Sequence, residues 1–313
     1  MNAARDAEVA SSYASVGALF GVDLISYELL PGFTGDGVYK VSDGHADYVL
    51  KEVVDEPGLA FQLAWLRDLA SNPDIRTPTP LGRAEGGVVP VSLGDRKWIL
   101  SKWVAGRISA LETDQLMAAY GRVLSALHRT ELSDSTTRVT TAARRYDSVY
   151  FDKAAGTLTE ALGDALARAD LELLWRAMLV SEEVLESLEK IQGEIGAVHA
   201  GIHEDHLMVD EQGGSVGVVD FARCGLGVRA LDVAMVAHYL PDERHDELRS
   251  QYAARGGTAA GLDGYEWPSL LLLTAVDNLA TLSLSRHTRE QLLSGLPDLL
   301  DCAQRPVVTR VRG

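Results

Sequence analysis

The stretch His199-Ala200-Gly201-Ile202-His203-Glu204-Asp205-His206 sets five titratable side chains within eight residues. A neutral imidazole, or the Asp205 carboxylate, accepts a proton near neutral pH. His203 and Asp205 are therefore candidate bases. Lys51, in Tyr48-Val49-Leu50-Lys51, brings a compact cation. Asp220, in Val218-Val219-Asp220-Phe221, brings the hard oxygen that divalent metals take. Gly32, Gly35 and Gly37 crowd one turn without a strict G-x-G-x-x-G pattern. They either cover an anion or simply turn the chain. Each residue also has a plain reading. Lys51 fits a solvated strand lysine, and His203 and His206 fit loop histidines facing solvent.

The chain around these residues has 313 positions, with 29 Lys+Arg against 45 Asp+Glu and a net charge of −16. Hydrophobic residues make up 46%, an ordinary globular share. So acidic a surface repels phosphate backbones, which argues against nucleic acid and suits a cationic partner. Cys224 and Cys302 form no disulfide framework and no Cys–His zinc spacing. The start, Met1 to Glu8, has no apolar run and reads as no secretory signal. The apolar run Leu270 to Val276 is too short to cross a bilayer. The expectation is a cytoplasmic protein with no membrane contact.

The elements that must position the candidates divide the chain in two. Residues 1–103 read as strands around one helix. Ile25 to Leu30, Val38 to Val41 and Tyr48 to Val53 are β-rich, the last two joined by Asp43-Gly44 in a hairpin. Leu59, Leu63, Leu66 and Leu69 recur at helical spacing. Residues 104–313 read as mostly helical, with helices over Leu116 to Arg129 and Leu171 to Ile191. A β interlude over Leu207 to Val209 and Val216 to Val219 interrupts them.

In order along the chain, these pieces resemble the aminoglycoside phosphotransferases and related small-molecule kinases. His199 to His206 resembles their H-x-D-x-x-x-x-N loop, and Asp220-Phe221 their D-F-G. Gly121 to His128 resembles their G-x-x-L-x-x-L-H helix. Gly225-Leu226-Gly227 with Asp232 resembles the segment after the metal-binding Asp. The resemblance implies an α+β, two-lobed protein-kinase-like fold with a nucleotide cleft near Lys102 to Gly106. It implies ATP or GTP held by Lys51, with Gln62, Gly35 and Gly37 nearby. It implies Mg²⁺, or Mn²⁺, on Asp220 and on the position of His206. His199 would brace the loop that carries His203 and Asp205, and Asp232 would hold backbone.

Three positions depart from the pattern. The catalytic Asp position holds Gly201, the metal-binding Asn position holds His206, and the helix carboxylate position holds Gln62. Reading His203-Glu204-Asp205 as the motif instead would consume the strand at Leu207, so the first register is preferred. Losing the base costs on the order of 10²–10⁴ in rate. Imidazole is a poor Mg²⁺ ligand, though it suits Zn²⁺ or Mn²⁺ better. Glu52, Asp55 and Glu56 are candidate substitutes for the charge missing at Gln62. Three expectations follow. One is a divergent phosphotransferase acting on a hydroxyl of a small natural product, a sugar or a peptide, and a cationic acceptor suits the acidic surface. Another is a pseudokinase that binds nucleotide, with a protein partner. Non-kinase chemistry run by the His/Glu/Asp cluster is a third.

Overall fold

The computed structural model describes residues 13–30, 37–53, 58–83, 90–108, 111, 113–210, 215–262, 264, 266–284 and 289–312. It divides into two compact units. Unit 1 comprises Met1–Ile108, Thr130–Ala143 and Met208–Ala222; unit 2 comprises Ser109–Arg129, Arg144–Leu207 and Arg223–Gly313. The hairpin strands after the loop thus return to unit 1, although the sequence alone groups them with the helices.

Unit 1 is built on an antiparallel sheet of five strands, ordered β1-β2-β3-β5-β4. These are β1 (Ser26–Leu29), β2 (Val38–Ser42), β3 (Asp47–Val53), β4 (Val91–Leu93) and β5 (Arg96–Lys102). The β2–β3 turn is closed by Asp43, whose carboxylate accepts the N–H groups of His45 and Ala46 at 2.8 and 2.7 Å. Alternation along the strands sends Tyr39, Val41, Leu50, Trp98 and Leu100 to one face. There they pack with Val16, Phe20 and Leu24, part of a segment helical over residues 13–19 and just beyond it. Lys51 neighbours Leu50 and so takes the opposite face, level with Val38 and Ile99.

Helix α1 (Leu59–Leu69) follows a left-handed Gly58 at φ 105°. It buries Phe61, Leu63, Ala64, Trp65, Leu66 and Leu69. A small sheet joins β6 (Arg107–Ile108), β9 (Leu207–Val209) and β10 (Val216–Val218) in the order β10-β9-β6. Arg76 ties this sheet in. Its guanidinium donates to the carbonyls of Ala105 at 2.5 Å and of Met208 and Ser215, both at 3.3 Å. Gly106 sits at φ 132°, and a Cβ there would lie 2.8 Å from the Val209 carbonyl oxygen, so only glycine allows this approach.

Unit 2 is helical around a three-stranded sheet ordered β7-β11-β8. Its strands are β7 (Arg144–Arg145), β8 (Ile195–Val198) and β11 (Gly225–Val228). Helices α2 (Thr113–Arg129), α3 (Ser148–Leu162), α4 (Arg168–Glu189), α5 (Arg229–Ala237), α6 (His245–Ala253), α7 (Glu266–Leu284) and α8 (Leu296–Arg312) surround it. The apolar run at Leu270 belongs to α7, whose 19 residues are long and apolar enough to span a bilayer; 72% of its most apolar window is buried inside the fold. This core helix also carries four buried polar residues, Ser269, Thr274, Asp277 and Asn278.

Candidate functional site

The sequence candidates separate by unit. Lys51, Gln62, Gly37 and Asp220 lie in unit 1; His199, Gly201, His203, Asp205 and His206 lie in unit 2. Gly35 lies outside the described residues, as do Gly32, Asp55 and Glu56.

In unit 1, Lys51 is half-buried on the sheet face away from the core. It has no hydrogen-bond or salt-bridge partner among the described residues. Gly37 is buried, and its carbonyl accepts the Glu52 N–H at 3.0 Å, which extends the β2–β3 ladder by one residue pair. Glu52 alternates away from Lys51 and approaches Arg96 at 3.7 Å, so it does not take the role considered for it beside Lys51. Gln62 is half-buried on α1. Asp220 follows β10 in the left-handed region, at φ 63°. Its Oδ1 accepts the Ala222 N–H at 3.4 Å. Such a backbone costs on the order of 1–3 kcal/mol for a non-glycine residue and persists where the surroundings enforce it. Here the next residue supplies an anchor. Phe221 is buried and meets Trp65 of α1 edge-on, with ring centroids 5.5 Å apart.

In unit 2, the loop hangs from Asp232. That carboxylate accepts the His199 N–H at 2.8 Å, the Ala200 N–H at 2.7 Å and His128 Nε2 at 3.1 Å. His128 is in turn 2.9 Å from the Tyr252 hydroxyl. Burial alone would raise the Asp232 carboxyl. The hydrogen bond and charge of His128, with His199 and the Ala200 N–H, outweigh it and hold the group below its ordinary value. The paired N–H groups hold Ala200 at φ 57°. Asp232 is therefore the backbone-holding carboxylate that the sequence suggests. His199 is fully buried, in the bracing position rather than an exposed one.

Beyond Gly201 the loop makes a 3-10 turn over Glu204–His206. His206 Nδ1 donates to the Gly201 carbonyl at 2.6 Å. The His203 and His206 rings lie 3.7 Å apart, and Tyr239 lies 5.5 Å from His203. Asp205, exposed, stands 3.7 Å from His203 Nδ1. The structure thus gathers the three loop histidines and Asp205. Tyr120 of α2 is close enough to sense this turn. Burial, and then the charges of Glu204 and Asp205, push its phenol well above the ordinary range.

A buried polar network behind Gly201 is not evident from the sequence. Arg223 donates to Asp277, and at 3.2 Å to Asn278 Oδ1. The Tyr150 hydroxyl donates to the other Asp277 oxygen at 2.6 Å, and the Tyr146 hydroxyl to the Arg223 carbonyl at 2.5 Å. The only sequence signal is an Asp-Asn pair inside an otherwise apolar helical run.

The metal implied by the resemblance needs oxygen ligands. Among the described residues no three His, Cys, Asp or Glu side chains gather into a cage. Mg²⁺ bound with a nucleotide takes one or two carboxylates and completes its shell with phosphate and water. Asp220 fits that role. His206, with Nδ1 engaged and no oxygen to offer, fits Mg²⁺ poorly.

Comparisons with known proteins agree with this layout. No curated protein sequence matches the chain. Among solved structures it is similar to a microcompartment-associated aminopropanol kinase, with 22% identity and a TM-score of 0.76, covering 96% of this chain and 98% of the other. It is similar to spectinomycin phosphotransferase in complex with ADP and spectinomycin, with 12% identity, a TM-score of 0.68 and coverages of 95% and 98%. It is also similar to an amicoumacin kinase in complex with AMP-PNP and Ca²⁺, with 17% identity, a TM-score of 0.65 and 88% of each chain covered. These likenesses show the two-lobed kinase-like fold. The model of one family matches residues 28–271, which span Lys51, the loop from His199, Asp220 and Asp232. The chain belongs to the phosphotransferase enzyme family.

Proposed function

We propose that the protein is an ATP-dependent phosphotransferase with a small-molecule acceptor. The observation that carries this reading is Lys51, a half-buried ammonium with no counter-ion among the described residues. A half-buried cation without a counter-ion suits an anion, and a nucleotide's α and β phosphates supply one. Asp220, fixed in its left-handed turn by Phe221, offers one carboxylate to a divalent ion. A bound metal would neutralise charge on the phosphates. The complexes of similar proteins with ADP, and with AMP-PNP and Ca²⁺, support nucleotide and metal use.

Phosphoryl transfer needs positioning and charge stabilisation more than covalent work from the protein. Asp232 positions the loop through its two N–H bonds. With a hydroxyl acceptor, the departing proton has His203 and its neighbour Asp205 as takers. If Asp205→Ala and His203→Ala both leave turnover intact, neither is the base. The test of the whole reading is a melting curve with ATP and Mg²⁺. A ligand at 100 times its Kd adds about 2.7 kcal/mol, and Lys51→Met should erase the shift. Absence of any shift at millimolar nucleotide would remove the proposal.

Gly201 and His206 favour a second reading, a pseudokinase that binds nucleotide without transfer. ATP binding that persists without ADP release, for every acceptor tried, would select it.

A further inference from the structure

The position where a catalytic base is missing has a cation beside it. A Cβ placed on Gly201 would lie 3.5 Å from Arg223 Cδ and 4.0 Å from Arg223 Cβ. Arg223 is clamped by Asp277 and Asn278, and its side chain keeps 23% exposure. Arg144 joins the cluster, with its guanidinium 3.5 Å from the Arg223 carbonyl oxygen. Burial raises both phenols, to about 12 for Tyr146 and higher for Tyr150, so they stay neutral near pH 7. Among the described residues Arg223 pairs with Asp277, while Arg144 donates to the Tyr146 hydroxyl and the Arg223 carbonyl and meets no carboxylate, so the cluster holds two guanidiniums and one carboxylate. Glu204 and Asp205, the loop's own acids, are both exposed. This surplus positive charge stands out in a chain of net charge −16.

A second observation points the same way. Asn278 turns its Oδ1 to Arg223, which leaves its Nδ2 as a donor. That Nδ2 is buried and has no partner among the described residues, and Asn278 as a whole is 9% exposed. A buried donor left unmade costs stability, and a ligand oxygen would satisfy it. An unused amide donor, in a cluster with one more guanidinium than carboxylate, is matched by a carboxylate, which accepts from both kinds of donor.

The geometry points to a carboxylate as the attacking group of the acceptor, held by Arg223 and Asn278, with an acyl phosphate as the product. This rests on the phosphotransferase reading. A hydroxyl must shed a proton as it attacks; Gly201 has no side chain to take it, which leaves that task to His203 or Asp205 further along the loop. A carboxylate arrives already ionised. One of its oxygens forms the new O–P bond to the γ-phosphorus. The bond from that phosphorus to the β–γ bridging oxygen breaks, and its electron pair leaves with ADP. The balance is RCOO⁻ + ATP⁴⁻ → RCO–OPO₃²⁻ + ADP³⁻, with no proton released.

The test measures ADP release with amino, hydroxy and dicarboxylic acids, each paired with the alcohol of the same carbon skeleton. Hydroxylamine is included to trap an acyl phosphate as a hydroxamate. The expected result is ADP release with at least one acid, together with its hydroxamate. Arg223→Met should raise the KM for that acid about 10- to 100-fold, as loss of a charged hydrogen bond implies, and Arg223→Lys should recover part of it. If Arg223→Met fails to fold because Asp277 is left unpaired, the near-isosteric Asn278→Asp serves instead. It should raise the KM for the acid and leave that for ATP unchanged. ADP release with alcohols and none with acids overturns the carboxylate acceptor and keeps the transferase. A hydroxylamine-stable phosphate ester formed from a hydroxy acid does the same. No release with either set overturns both.

Discussion

Removing the Asp232 carboxylate tests how the loop is held. Asp232 is 1% exposed and receives three donors: two backbone N–H groups within 2.8 Å and His128 at 3.1 Å. Asp232→Ala leaves the two N–H groups buried without an acceptor, at about 1–3 kcal/mol each. It also returns the desolvation cost of a buried charge, which offsets part of the loss. The expected destabilisation is about 3–5 kcal/mol, the range for removing one partner of a buried charged pair. Asp232→Asn keeps one acceptor oxygen, turns an amide N–H toward a donor, and should cost about 2 kcal/mol. Urea unfolding with unchanged m reads both values. The acid dependence is a second readout. Because the folded carboxyl titrates below its ordinary 3.8, its contribution is complete above that pH. It fades as pH falls through the folded value. Wild type and Asp232→Asn should therefore begin to converge in stability as pH falls below about 4, and meet only below the folded value. If both variants stay within about 0.5 kcal/mol of wild type at neutral pH, the account of the loop anchor fails.

Other substitutions probe other parts of the site. Phe221→Ala empties a buried contact with Trp65 and should cost about 3–5 kcal/mol by urea unfolding, while weakening ATP binding through Asp220. Gly201→Asp meets no atom closer than 3.5 Å, so its melting temperature should stay near that of wild type, within about 1 kcal/mol in stability. Its new carboxylate beside Arg223 should lower turnover of an acid acceptor; faster turnover would contradict the carboxylate reading. Arg76→Met removes one donor from each of three carbonyls, and hydrogen exchange should quicken along β6, β9 and β10.

Much of the fold is local in origin and therefore legible in the letters. Tyr39, Val41 and Leu50 alternate along their strands, and Asp43-Gly44 forces the turn between them. The leucines of α1 mark its buried face by their spacing alone. Asp220-Phe221 after a strand, Lys51 within one, and Asp232 at its distance from the loop were all readable as single residues in order. What was not readable is what each meets. Arg223 and Asp277 are 54 positions apart, and His128 and Asp232 are 104 apart. Arg76 reaches Met208 across 132. No local period encodes these meetings, because they depend on which side chains remain within reach once the helices and sheets have packed. The same holds for the hairpin of β9 and β10, which follows the loop in sequence yet joins unit 1 through Arg76 and the glycine at 106. From the sequence alone, Gly201 marks a missing base. Only the packing of Arg223 and Asn278 behind it shows which charge stands there instead, because burial makes that charge count.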